Sequence, residues 1–557
     1  MPGAANRSGG AQQLAEGMAP SVNKTSKLLL FARHNERPSR LTSNPATTGK
    51  RVMDPKERRK PDPLQSAAVG LSWPGANSYK LNPSIQNSHM STSRIEHDFL
   101  GERTLPNTAY YGIQTLRALE NFAITGIPIN TERLFVQALA FVKKGAALAN
   151  CELGVLPPHI AEAIAAACDR VAAGEFDDQF LTDMIQGGAG TSVNMNANEV
   201  IANVALEIMG HQKGQYQFCH PNNHVNCSQS TNDAYPTAFR IALNNKLVGY
   251  RETLYNLADA FAQKGEEFND ILKMGRTQLQ DAVPMSMGDE FHAFATNLRE
   301  ELLRIDDSRR LIDEINMGAT AIGTRVNAPT GYPELVTEHL RTITGLNLSL
   351  AGDLFEATYD TGAYVQLSGV LKRTGVKLSK ICNDLRLLSS GPRCGFNEIN
   401  LPPLQPGSSI MPGKVNPVVP EVVNQTAFYV IGADLTVTMA AEAGQLQLNV
   451  MEPVISFALF TSISYMTNAC RTLREKCVVG ITANKAHAEN LVRNSIGIVT
   501  QLNPVIGYEA SAAIAQEALK TGKSVHDIAV LERRLLTEAK WAEIFTFENL
   551  IRPVFIQ

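Results

Sequence analysis

The sequence predicts a mainly α protein, a central domain built as a long-helix bundle with smaller N- and C-terminal domains. Three observations carry this. Tyr364, Leu367, Leu371, Thr374, Leu378, Ile381, Leu385 and Leu388 alternate steps of three and four, the spacing of a helix that packs along other helices. From Glu421 to about Gln447, Val422, Val423, Phe428, Val430, Ile431, Leu435, Val437 and Met439 put apolar surface on more than one side of a helix, which suits a bundle centre. Strand-like alternation is scarce, whereas helical periodicity recurs at 132–151, 158–173, 233–268 and 288–316.

Taken in order, residues 1–92 read as a disordered basic extension, rich in Ser, Pro, Asn and Arg without sustained periodicity. Residues 1–95 hold 14 Lys/Arg against 5 Asp/Glu, a balance of +9; the remaining 37 against 49 give −12. The extension is acid-poor, as organelle transit peptides are, yet it has no clear amphipathic helix, and the Leu28–Ala32 run is too short for a secretory core. Residues 93–231 form an N-terminal domain, 232–487 the bundle, and 488–557 a small C-terminal domain of turns and short amphipathic helices.

The 557 residues contain no uninterrupted apolar run of the 18 or so residues that a membrane span requires, so no membrane partner is expected. Neither is nucleic acid, because the body is acidic and shows no basic helix interleaved with aromatics. Cys151, Cys168, Cys219, Cys227, Cys382, Cys394, Cys470 and Cys477 are scattered without CxxC pairing, the pattern of reduced thiols in a cytoplasmic enzyme.

Four polar motifs interrupt the helical pattern: GGAGTSVNMNANE (187–199), SQSTNDAYP (228–236), MGRTQLQDAVPM (274–285) and GSSIMPGKVNP (407–417). Each sets Ser, Thr, Asn or Gln beside glycine or a helix start, groups that bind anions without becoming charged. Taken singly, a Ser-Thr-Asn-Asp run is usually a helix cap. A plain polar turn would also account for the glycines and prolines of 407–417, with Pro420 and Glu421 in the first turn of the next helix. It gives no reason for Ser408, Ser409, Lys414 and Asn416 to crowd together. Glu199, Asp233 and Asp281 read as capping or structural charges. FCHPNNHVNCS places Cys219, His220, His224 and Cys227 close together, but the spacing fits no common zinc pattern.

The loop GSSIMPGKVNP resembles the signature loop of the aspartase/fumarase superfamily, lyases that eliminate a group from a succinyl skeleton to leave fumarate. The likeness spans about residues 93–557 and extends to KVNPVVPEVVNQ, TVTMAAEAGQLQLNVMEPVI and SKICNDLRLLSSGPR. It implies that Thr191, Ser230, Thr231 and Ser409 hold the substrate β-carboxylate. By the same likeness Thr277, Gln278, Lys414 and Asn416 hold the α-carboxylate, and Asn232 with Thr191 orients the departing amine. Ser408 is then the general base that takes the Cβ proton. Fixed donors aimed at the aci-carboxylate are worth about 3 kcal/mol each in oxyanion-type sites. A serine needs Lys414 and loop amides to stabilise its alkoxide.

Within the superfamily, Gln278 and Ser192 stand where class II fumarases typically carry His and Gln, which implies the aspartase branch and reversible deamination of L-aspartate to fumarate and ammonia. The alternatives are a class II fumarase and a non-catalytic structural relative; intact Ser408, Lys414 and Asn416 oppose the latter. Some aspartases carry His at 278, so a histidine contact to the amine is in doubt here. The 219–227 loop resembles one that forms a second carboxylate pocket in fumarases, with Asn223 where Asp is usual. The resemblance implies no organic cofactor, activation of some members by a divalent cation such as Mg²⁺, and a homotetramer whose sites draw on three chains. The run from Met90 resembles the start of bacterial members, making Met90 an alternative translation start; if the extension is instead a transit peptide, the location is mitochondrial.

Overall fold

The computed structural model describes residues 92–552, all within a compact unit comprising Asn87–Gln557; the extension assigned to 1–92 lies outside the described residues except for its last position. The chain opens with an antiparallel hairpin, β1 (Ser93–Asp98) and β2 (Gly101–Pro106), followed by α1 (Ile113–Asn121), α2 (Arg133–Glu152), α3 (Pro158–Ala173) and α4 (Thr191–Ile208). The longest helix, α5 (Thr231–Glu267), has 37 residues, a rod of about 55 Å at 1.5 Å per residue. A second hairpin, β3 (Leu272–Thr277) and β4 (Gln280–Ser286), leads into α6 (Met287–Ile312), α7 (Tyr332–Thr344), the single turn α8 (Glu356–Tyr359), α9 (Gly362–Leu388), α10 (Val418–Glu442) and α11 (Glu452–Lys476). The C-terminal part contains α12 (Lys485–Asn494), α13 (Asn503–Ile506), α14 (Tyr508–Thr521), α15 (Glu538–Ile544) and α16 (Phe547–Ile551).

The bundle closes on itself: α5 packs on α6 and α11, α6 on α9, α9 on α10, and α10 on α11. Every member of the Tyr364–Leu388 periodic set is buried in α9, because its three-four spacing keeps all eight on the face that meets α6 and α10. The four other helical expectations correspond to α2, α3, α5 and α6 with ends shifted by a few residues. The expected 421–447 helix is corrected to Val418–Glu442. It starts early because Pro420 sits in the first turn, where its missing N–H costs nothing. It stops early because the Asn449 amide donates to Ala440 O (3.0 Å) and Ala441 O (3.2 Å), closing the last turn.

One helix, α2, is long and apolar enough to cross a membrane by length and composition. Its residues from Phe135 to Asn150 are mostly buried against α3, α5 and α7, as in a core helix. On α10, by contrast, Val422, Phe428, Leu435 and Met439 remain exposed in the single chain. A second apolar core gathers Val492, Ile498, Leu502, Ile514, Ile528, Ile544 and Leu550, and β3 contributes Leu272 and Met274 to it. All eight cysteines are free thiols.

Candidate active site

Two helix N-termini meet in the N-terminal half of the molecule. Gly190 is the N-cap of α4 with φ +92°, a conformation open to glycine, and a Cβ there would overlap the Tyr235 ring of α5. This contact seats Thr191, the first residue of α4, beside the start of α5. Ser230 is the N-cap of α5 in a capping box: its Oγ accepts from Asn232 N (3.3 Å), while Asp233 Oδ1 accepts from Ser230 N (2.8 Å). The positive ends of α4 and α5 thus face one locality, an electrostatic setting suited to an anion.

The hydrogen bonds sort these side chains by what they have left to offer. Ser230 Oγ accepts from Asn232 N, and Thr231 Oγ1 accepts from Asn194 Nδ2 (3.2 Å), so both hydroxyl protons are available to an anion. Thr191 Oγ1 donates to Gly188 O (2.8 Å), and Asn232 Nδ2 donates to Ala321 O (2.7 Å). Those two therefore present oxygens, which suit an ammonium group. Pro236 lacks the N–H that would have bonded Asn232 O, and Asn316 Nδ2 takes that carbonyl instead (3.0 Å).

Beneath these helix ends lies a network centred on Lys143, a residue outside every sequence motif. Lys143 of α2 is fully buried, and its Nζ donates to Asn194 Oδ1 (2.6 Å), Gln229 Oε1 (2.8 Å) and Asn226 Oδ1 (2.9 Å). Burial pulls its pKa down to about 7, while three oxygen acceptors match the three protons of the charged form. Asp233 is also fully buried; burial raises its pKa to about 6, opposed by amides of Ser230, Thr320 and Gly318. Glu199 caps α1, accepting from Gly112 N and Gln114 N (2.8 Å each) and from Thr115 Oγ1 (2.6 Å). Asp281 accepts from Ser495 Oγ (2.7 Å). All three acids hold structure, as their sequence context suggested.

The other expected residues stand apart from this pocket within one chain. Thr277 and Gln278 lie at the exposed tip of the β3–β4 hairpin, where Gln278 (φ +54°) and Leu279 (φ +62°) form a two-residue turn between the paired Thr277 and Gln280. Non-glycine residues in that region cost of order 1 kcal/mol each, and such strain concentrates at functional sites.

The 407–417 loop forms a third element, closed at its neck. Gly407 N donates to Lys414 O (2.6 Å), Asn416 Nδ2 donates to Gly407 O (2.8 Å), and Pro406 bridges to Val415. Gly407 is required there because a Cβ would stand 2.8 Å from Lys414 O. Inside the loop Ser408 Oγ accepts from Ile410 N (3.2 Å) and Met411 N (3.1 Å). Ser409 and Lys414 are exposed, and Lys414 makes no ion pair among the described residues. Asn416 is a neck staple here, with one amide proton left to offer.

In the 219–227 loop, His220 Nδ1 accepts from Asn222 N (3.0 Å) and Asn223 N (3.3 Å), and His224 Nδ1 accepts from His220 N (2.9 Å). Burial lowers both pKa values, and backbone amides occupy the Nδ1 atom of each ring.

Thr191, Ser230, Gln278 and Ser408 all fall within one stretch that matches a known family model. Residues 101–432 match the lyase family model and 498–552 the model of the fumarase C C-terminus. The aspartate ammonia-lyase of Pseudomonas aeruginosa is 59% identical over 473 residues, 84% of this chain and 99% of that protein. The chain belongs to the aspartase/fumarase superfamily. Other superfamily relatives are the aspartate ammonia-lyases of Helicobacter pylori J99, 58% identical over 83% of this chain and 98% of theirs, and of Escherichia coli K12, 59% over 83% and 97%. Among solved superfamily structures, a fumarate lyase:delta crystallin from Brucella melitensis superposes with TM-score 0.80 at 51% identity, covering 83% of this chain and all of that one. The class II fumarase of Schistosoma mansoni also reaches 0.80, at 35% identity over 83% and 99%.

Proposed function

We propose that this superfamily member is an aspartate ammonia-lyase, a carbon–nitrogen lyase that deaminates L-aspartate reversibly to fumarate and ammonia through an aci-carboxylate. The observation that carries the assignment is identity of 58–59% to aspartate ammonia-lyases along nearly their whole length, compared with 35% to the class II fumarase.

The site roles are those the family resemblance implies, and for Ser230, Thr231, Thr191 and Asn232 the hydrogen-bond sorting supports them. Ser230 and Thr231, with protons to give at the mouth of two helix dipoles, hold the β-carboxylate together with Ser409. Thr191 and Asn232, whose oxygens face outward, accept from the ammonium group. Thr277, Gln278, Lys414 and Asn416 hold the α-carboxylate. Ser408 removes the Cβ proton. The two amides already donating to its oxygen favour the alkoxide, and closure of the loop over substrate would strengthen them by excluding water. As the Cβ carbanion resonates into the carboxylate, charge grows on oxygens facing fixed donors, and the Cα–N bond breaks.

Three elements that stand apart in one chain are supplied to each site by three chains of a homotetramer; the exposed apolar side of α10 supports such a shared bundle. No organic cofactor takes part. A divalent cation such as Mg²⁺ acts as an activator. The free thiols support a reducing, cytoplasmic location.

The test follows fumarate by its ultraviolet absorbance. L-aspartate should yield it, and fumarate with ammonia should return aspartate. Malate as sole product from fumarate, with or without ammonia, would overturn the reading in favour of a fumarase.

A further inference from the structure

A cavity of about 460 Å³ opens in the C-terminal part of the molecule, well away from the α4–α5 pocket in sequence and lined by β3, α12, α15 and α16 residues. Its volume falls in the range of small-molecule sites. One wall is aromatic: Trp541 and Phe545 stack at 3.9 Å between ring centroids, the His526 ring meets Trp541 edge-on at 4.9 Å, and Phe547 continues the surface. The opposite wall is aliphatic, with Val492, Ile498 and Leu272. Glu489 and Arg493 also line the cavity, one turn apart on α12, so a side chain of each sign lies on one helix face. Among the described residues neither side chain makes a hydrogen bond or an ion pair, and Lys485, one turn before Glu489, is paired with Asp270. His526, by comparison, is occupied, with Nε2 3.1 Å from Glu538 and Nδ1 3.5 Å from Asp527.

An apolar slot of this size with one cation and one anion at adjacent positions complements a zwitterion carrying a flat apolar group. We propose that this cavity binds an aromatic α-amino acid, its ring against Trp541 and Phe545, its carboxylate at Arg493 and its ammonium at Glu489. Binding there is coupled to the hairpin. Leu272 begins β3, and the same strand ends at Thr277. The hairpin is braced on the C-terminal part by Asp281 with Ser495 and by Gly497, where a Cβ would stand 2.8 Å from Ala282 O. A ligand seated on Leu272 therefore changes how the tip presents Thr277 and Gln278, and with them the KM for substrate. This last step rests on the α-carboxylate role assigned to those two residues; the binding itself does not.

The experiment uses the full chain carrying Trp73→Phe, which leaves Trp541 as the sole tryptophan. L-phenylalanine should shift Trp541 emission saturably. Arg493→Ala and Glu489→Gln should each weaken that binding on the order of tenfold, the scale of a lost charge-assisted contact. 3-Phenylpropanoate and 2-phenylethylamine, each lacking one charge, should bind more weakly than phenylalanine. No saturable shift, or equal binding by either analogue, overturns the site. In parallel, phenylalanine should alter the KM for L-aspartate in the parent and leave it unaltered in Arg493→Ala. Saturable binding with KM unchanged, or an effect that persists in Arg493→Ala, overturns the coupling. Absence of all lyase activity would sink the functional reading while the fluorescence titration still reports on the cavity.

Discussion

The α4–α5 pocket and the 407–417 loop use the same residue types, Ser, Asn and Lys, in opposite physical settings. In the pocket each polar group is anchored by another: Lys143 holds Asn194, Asn194 holds Thr231, Asp233 holds Ser230, and all of these supports are buried. In the loop, hydrogen bonds close the neck and hold Ser408 Oγ, while Ser409, Ile410 and Lys414 face outward. Buried networks fix geometry at high cost if broken, whereas an exposed loop can reorganise cheaply. Under the proposed roles the pocket binds and the loop completes the chemistry, so lesions in the two should differ in kind.

The sharpest probe of that division is Ser408→Ala. Turnover should fall by about 10² to 10⁴-fold, the scale of general-base catalysis, with substrate binding still measurable by titration and the melting temperature unchanged. Near-normal turnover would remove Ser408 as base. Next, Gly407→Ala places a Cβ against Lys414 O and should spread the neck. We expect kcat to drop with little change in melting temperature, because the loop contributes little buried surface; a large thermal loss would mean that the loop is part of the core after all.

The complementary lesion is Gly190→Ala, which sets a methyl group into the Tyr235 ring from a backbone at positive φ. It should lower stability by about 1–3 kcal/mol and raise KM more than it lowers kcat. The smallest effect on turnover is expected from Glu452→Gln at the start of α11, in the scaffold behind Tyr235. Burial raises the Glu452 pKa from 4.5 to about 8. The folded chain therefore holds a proton that the unfolded chain releases. The stability so gained is full below pH 4.5 and is lost as pH rises through 8. The glutamine variant lacks this loss, so its thermal advantage over the parent should widen between pH 6 and pH 9. An equal difference at both values would refute the assignment.

Much of the bundle was legible because its signal is local. The Tyr364–Leu388 spacing needs only the residues themselves, and all eight are buried. What stayed hidden depends on distant partners. In α4, Asn194, Asn196, Asn198 and Glu199 read as a polar motif, since asparagine favours turns over helices. Their partners lie in Lys143, the 220–231 segment, Gln179, and Gly112–Thr115 near α1, and tertiary bonds override the propensity. Lys143 belongs to no motif, and its three acceptors lie 51 to 86 residues downstream. The β3–β4 hairpin escaped because Gln278-Leu279 carries none of the Asn-Gly or Asp-Gly marks of its turn type. The candidate residues were found by motif, but the division between those that donate and those that accept was not, because it depends on which proton each has already spent.

The uncovered apolar flank of α10 carries a consequence of a different order. A surface of Val422, Phe428, Leu435 and Met439 is shielded from water only when another molecule lies against it, so under the proposed homotetramer mass action governs the competent form. Dose then enters the rate law twice, once as the number of catalysts and once as the fraction that is assembled, and a dilute preparation would be slow for want of neighbours rather than for want of chemistry.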